Sequence, residues 1–123
     1  MNNTFVVLLM IFCHVVADYN LQGWLASAKT KAYWEQNAPD ELYKKDYICA
    51  LLMHSISWSF MIMLPIAYVK GFNVDVGFVC YFIANVILHM LIDNEKANKK
   101  SINLVTDQVC HFIQIFGTAG WLL

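Results

Sequence analysis

Seven residues in this chain are of the types that bind metal ions or move protons, and their spacing pairs them. His14 and Asp18, His89 and Asp93, and Asp107 and His111 are each four residues apart, and His54 stands alone. In a helix a four-residue step puts both side chains on one face, with Cβ atoms about 6 Å apart. Imidazole nitrogens and carboxylate oxygens together make a mixed N/O ligand set for a divalent cation, zinc first and manganese second. The set His14, Asp18, His54, His89, Asp93, Asp107 and His111 is large enough for one or two ions. A hydrolytic centre also needs a general base, and Asp18 and Asp93 are the carboxylates assigned that role.

The segments that carry these residues are unusual for polar chemistry. Of the 123 residues 59% are hydrophobic, above the 45–50% typical of soluble domains, which points to a membrane protein of one domain, residues 1–123. A net charge of -1 excludes a nucleic-acid binder. The four cysteines fall one per apolar segment without a C-x-x-C pair, so they read as small buried hydrophobes. Four apolar stretches, about 4–25, 47–69, 72–92 and 104–123, each approach the ~20 residues needed to cross a hydrocarbon core. The expected fold is therefore all-α: four transmembrane helices in a small bundle, with the first segment retained and Pro65 as a kink point in the second.

Lysine sets the orientation. All eight basic residues are lysine, and seven of them lie in the 26–46 connection or after the third segment, from Lys29 to Lys45 and from Lys96 to Lys100. The positive-inside rule puts both connections in the cytoplasm and both termini outside, in a multi-pass protein of the bacterial inner (cytoplasmic) membrane. Pro39-Asp40-Glu41 has the form of a helix start, so residues 39–46 are expected to make a short interfacial cytoplasmic helix leading out of an otherwise looped connection.

With antiparallel helices, all seven polar residues fall in the cytoplasmic half; Asp18 and His54 each lie roughly 10 Å from its edge at 1.5 Å per residue. Polar residues extend the stripes: Gln22 after Asp18, Asn85 before His89, and Asn103 before Asp107. Gln22, Asn85, Asn103 and Gln108 are expected to hydrogen-bond the ligands rather than bind metal. An ionised aspartate at a helix centre costs about 2.5–3.5 kcal/mol on insertion scales, whereas an ordinary interhelical hydrogen bond contributes about 0.6 kcal/mol. Several such costs at one depth call for a stronger partner, and a divalent cation is sufficient. Asp75 reads as a solvated surface charge. Lys29, Lys31 and Lys96 at the rim favour an anionic lipid headgroup or phosphoester.

The motifs carry a resemblance. His14-Val15-Val16-Ala17-Asp18-Tyr19-Asn20-Leu21-Gln22 resembles the H-x-x-A-D-F-x-L-Q opening of a bacterial and phage membrane-protein family of unknown function. His89-x-x-x-Asp93 near Lys96, and Asp107-Gln108-x-x-His111, resemble that family's later H-x-x-x-D and D-Q-x-x-H elements. The resemblance covers nearly the whole chain and implies a four-helix membrane fold. A weaker similarity, through His54-Ser55 and the placing of His and Asp on membrane helices, is to inner-membrane metal-dependent hydrolases, and it implies a metal enzyme.

The function expected from these readings is a metal-dependent integral-membrane hydrolase acting at the cytoplasmic leaflet. One alternative is a proton or cation pathway, which would need a homo-oligomer because the outer half of one bundle has few polar residues. The other is a non-catalytic partner-binding membrane protein, of phage origin, whose Asp–His pairs fix helix register.

Overall fold

Hydrophobic side chains cover the outside of this protein and polar ones fill much of its centre. Phe12, Phe60, Ile83, Leu91, Val105 and Ile113 are exposed, while His14, His89, Asp107 and His111 are completely buried. The computed structural model describes residues 1–123 and contains helices and turns only. Four long helices alternate in direction: α1 (Asn3–Val15), α4 (Asp46–Val69), α5 (Val76–Asn94) and α6 (Leu104–Leu122); two short ones, α2 (Leu25–Ala28) and α3 (Lys31–Asn37), lie between α1 and α4. In the bundle α4 packs on α1 and α5, and α6 closes the ring between them. An inside-out distribution of this kind suits a lipid surround, where apolar side chains face hydrocarbon and polar ones turn inward.

Three stretches are long and apolar enough to cross a membrane: Asn3–Asn20, Glu41–Val69 and Val76–Lys99. The fourth expected span, α6, has the length at 19 residues but not the composition. It carries Asp107, Gln108, His111, Gln114 and Thr118 along one side, and those side chains lower its hydropathy.

The ends of the helices depart from the sequence reading for local reasons. The first helix ends at Asn20 rather than near residue 25, through a wide π-type turn over Val16–Asn20 that the Leu21 N–H closes onto the Val16 carbonyl at 2.9 Å. Gly23 then turns the chain with a φ of 52°, a conformation that glycine adopts without a Cβ penalty. The third segment starts at Val76 rather than residue 72. Gly71 and Phe72 both have positive φ, and the Phe72 N–H bonds back to Ala67 at 2.7 Å, which terminates α4. Asp75 then caps α5 by accepting from the Phe78 N–H at 2.8 Å; that bond holds its exposed carboxyl below the usual carboxylate range. α5 ends in a second π-type turn, Glu95–Lys99.

The 26–46 connection is more ordered than a loop. Thr30 caps α3 through its hydroxyl, Trp34 donates to the Ala28 carbonyl at 2.7 Å, and the helix expected over 39–46 is only a 3-10 turn, Glu41–Tyr43, before α4. α4 runs through Pro65 as one helix. Of the cysteines only Cys13 is buried; Cys49 and Cys80 face outward, and all four are unpaired.

Candidate metal centre

Asp18 is carried by the π-type turn that ends α1, His54 by α4, His89 and Asp93 by α5, and Asp107 and His111 by α6. All six meet in the lysine-rich half of the bundle. The His54 Nε2 lies 3.1 Å from the His89 Nε2 and 3.3 Å from both Asp18 Oδ1 and Asp93 Oδ2. The His111 Nε2 lies 3.4 Å from Asp93 Oδ1, 3.4 Å from Asp107 Oδ1 and 4.0 Å from Asp18 Oδ2. Three overlapping triads have ligand atoms within 4.8 Å of one another: Asp18–His54–His89, His89–Asp93–His111 and Asp18–Asp107–His111. These buried His and Asp groups can hold a metal ion.

The distances are short, yet several of the atoms make no hydrogen bond. Asp18 Oδ1, Asp107 Oδ1 and His111 Nε2 are buried without a partner, so the contacts around them converge on common points instead of aligning pairwise. Leaving a buried polar atom unpaired costs about 1–3 kcal/mol. Cations at those points would remove that cost.

His111 is oriented from behind. Gln114 donates its amide to the backbone carbonyl and side-chain oxygen of Asn85, each at 3.3 Å. The Gln114 Oε1 therefore faces His111 Nδ1, at 3.2 Å. An amide oxygen only accepts, so Nδ1 carries the proton; in the neutral ring, the form that binds a metal, the Nε2 lone pair then faces the three carboxylates. Asn85 is anchored in turn by donating to Thr118 Oγ1 at 2.8 Å, and Thr118 donates to the Gln114 carbonyl at 2.7 Å. Such supports behind a ligand fix its tautomer and its angle.

His14, expected among the ligands, belongs to none of the three triads, although its Nδ1 lies 3.8 Å from Asp18 Oδ2. Trp58 Nε1 donates to its Nδ1 at 2.8 Å, and its Nε2 faces Gln108 Oε1 at 2.9 Å. Both ring nitrogens are thus engaged. Gln108 passes the orientation on by donating to Asp18 Oδ2 at 3.2 Å and to Asp107 Oδ2 at 3.0 Å. Trp58, His14 and Gln108 therefore aim two of the carboxylates from behind. The Trp58 ring also stacks on His89, with centroids 4.1 Å apart.

Lys29 and Lys31 differ from their expected rim positions, whereas Lys96 keeps its own. Lys29 is buried, its Nζ 2.7 Å from Asp93 Oδ2. It is held there because Asn98 bonds the Lys29 carbonyl and the Lys31 N–H. Lys96 is half-exposed and meets Asp107 Oδ2 at 2.9 Å. Lys31 points away from the cluster: it sits over the Tyr47 ring at 5.2 Å and lines a surface depression of about 520 Å³ with Trp34, Glu41 and Lys44.

Of the expected supporting residues, Gln108 bonds two of the carboxylates directly, and Asn85 reaches the centre only through Gln114. Gln22 bonds only the Asp18 carbonyl, at 2.7 Å. Asn103 is exposed and caps α6 by accepting from the Thr106 N–H. The residues that sequence reasoning passed over are Trp58, Asn98 and Thr118. Two of them had a signal, since Trp58 lies one turn beyond His54 and Thr118 continues the His111–Gln114 stripe; Asn98 had none. Compared with known proteins, the chain matches no family model, no curated protein and no solved structure.

Proposed function

We propose that this protein is a metal-dependent integral-membrane hydrolase, a four-span protein of the bacterial inner membrane with its termini outside and its centre in the cytoplasmic half. The observation that carries the reading is the His111 Nε2, buried and unpartnered, facing three carboxylates at 3.4–4.0 Å. In the neutral ring that nitrogen's lone pair is repelled by the carboxylates, and a divalent cation between them would reverse the sign of every contact. Zinc or manganese suits this N/O set.

The residues then divide the work. His54, His89 and His111 supply nitrogen donors, and Asp18, Asp93 and Asp107 supply oxygen. In this reading Asp18 and Asp93 both serve as ligands, and Lys29 ties one oxygen of Asp93. Trp58, His14 and Gln108 set the angle of Asp18 and Asp107. A bound divalent ion would act as a Lewis acid and lower the pKa of water, which is the requirement for hydrolysis near neutral pH. Lys96, half-exposed at the edge of the cluster, would meet an anionic ester arriving from the headgroup region. The order of the His–Asp motifs, similar to the membrane family described above, supports the same placement.

The second reading, a proton pathway, draws on the same imidazoles and carboxylates. Beyond Trp58 toward the far end, the buried polar groups are Ser59, Asn85, Gln114 and Thr118. These neutral groups carry no titratable relay, which favours a closed site over a conduit. The deciding experiment is elemental mass spectrometry of tag-free protein purified in detergent, followed by assays with and without a chelator. Bound transition metal and chelator-sensitive ester hydrolysis are expected. Metal-free protein that conducts protons in liposomes, and loses that flux in Asp18→Asn, would replace this reading with the second.

A further inference from the structure

Two of the carboxylates face both groups of histidines at once. Asp18 presents Oδ1 to His54 at 3.3 Å and to His89 at 3.8 Å, and its other oxygen to His111 at 4.0 Å. Asp93 presents Oδ2 to His54 at 3.3 Å, and Oδ1 to His89 at 3.7 Å and His111 at 3.4 Å. Two of the three triads mark separate points, Asp18 with His54 and His89 and Asp18 with Asp107 and His111, and the third, His89–Asp93–His111, joins them. Each point has two ligands of its own and Asp18 in common, and Asp93, 3.3 Å from His54 and 3.4 Å from His111, would supply to each the fourth donor that zinc takes in a tetrahedral site. Carboxylates bridge in this way between ions about 3.5–4 Å apart. The unpartnered atoms fall on both sides of the bridge, because Asp18 Oδ1 faces the first point while His111 Nε2 and Asp107 Oδ1 face the second.

Charge then selects the ligand class. Three aspartates against Lys29 and Lys96 leave one net negative charge at the centre, with the histidines neutral. One divalent cation would turn that into a single positive charge, and two would leave three. Such an excess in a low-dielectric interior is tolerated only with an anion present. A phosphomonoester dianion removes two of the three charges, where a diester or carboxylate would remove one. Lys96 is fixed on the outer oxygen of Asp107, whereas Lys29 is bonded to Asp93 Oδ2, the oxygen that also faces His54, so that oxygen would be shared between Lys29 and the first ion.

Resting on the hydrolase reading above, we infer that the centre holds two divalent cations bridged by Asp18 and Asp93, and that the loaded pair binds a phosphomonoester dianion. In hydrolysis, water oxygen forms the new P–O bond and the ester P–O bond breaks. The alcohol leaves with one of the water protons, and inorganic phosphate remains.

The test begins with the wild-type protein. Zinc or manganese titration read by elemental mass spectrometry should saturate at two equivalents per chain. His54→Ala and Asp107→Asn should each keep one equivalent and bind inorganic phosphate at least ten-fold more weakly by calorimetry. Asp18→Ala should hold neither ion tightly. Wild-type saturation at one equivalent overturns this inference and leaves the hydrolase reading standing; zero equivalents overturns both. Two equivalents with no preference for phosphate over acetate overturns the ligand class. The stoichiometry of the unmodified protein decides the matter even if a variant fails to fold. Phosphatidylcholine vesicles containing phosphatidate, compared with a soluble aryl phosphate, separate the two sources of the dianion: release from the vesicles alone assigns a lipid phosphomonoester, and release from the aryl phosphate assigns a soluble one. Release from neither, with two ions bound, overturns the inference.

Discussion

The two ends of the bundle are built on opposite rules. At the lysine-rich end, Asp18, His54, Asp93, Asp107, His111 and Lys29 pack against one another in a buried polar cluster. At the other end Val6, Met10, Ile62, Ile66, Ala119 and Leu122 form a continuous apolar core. Trp58 belongs to both, buried in that core yet bonded to His14 and stacked on His89. The apolar end resembles any packed interior, where shape decides stability. At the polar end, stability depends on charge compensation, and the loss of one partner exposes the next. The ends should therefore answer mutation differently.

The largest effect is expected at Lys29. Replacing it by Met leaves Asp93 buried without its 2.7 Å counter-ion, which costs about 3–5 kcal/mol where a buried pair is broken. The double variant Lys29→Met with Asp93→Asn should recover part of that loss. Thermal unfolding in detergent measures both, and an unaffected Lys29→Met protein would show that the polar end is not charge-limited. At the apolar end, Ile62→Ala should cost about 2–5 kcal/mol through the cavity it leaves, with bound metal unchanged. Metal loss in that variant would mean that the two ends are not independent.

Gln108→Ala sharpens the comparison within the polar end. It removes the bonds that aim Asp18 and Asp107 but no proposed ligand, so metal affinity should fall roughly 10- to 100-fold with little change in fold. Competition titration against a calibrated chelator reads this directly, and affinity as weak as in a ligand variant would promote Gln108 to the inner set. The smallest effect is expected at Asp75, on the far side. Its depressed carboxyl contributes stability that is present above the unfolded pKa and lost as pH falls through the carboxylate range. Asp75→Ala should give a small stability loss that disappears in acid, with metal content intact.

What could be read from the sequence follows the same division. The long helices were legible because their apolar runs are continuous, and the ligand stripes because a four-residue period is a one-dimensional signal. Asp18, His54, His89, Asp93, Asp107 and His111 do meet, as their common depth implied. His14 has the same spacing and depth, but its partners, Trp58 and Gln108, come from α4 and α6, so no local pattern separates it from the ligands. Lys29 looked like a rim charge because it lies in a connection. It is buried only because Asn98, 69 residues away, fastens that connection to the end of α5. Asn103 continued a stripe on paper, but at a helix start an asparagine is drawn to its own backbone.

Trp58 also has an electrical consequence. Every buried carboxylate and amine lies on the lysine-rich side of it, and the eleven residues of α4 beyond it, roughly 16 Å of helix, contain no charged side chain before Lys70. In a bilayer under the proposed orientation, nearly the whole transmembrane voltage would fall across that insulating layer. A charge crossing the full field gains about 2.3 kcal/mol per 100 mV, whereas an ion entering the centre from the lysine-rich side would cross almost none of it. Occupancy of the centre would then follow the composition of that compartment and be insensitive to whether the cell is energised.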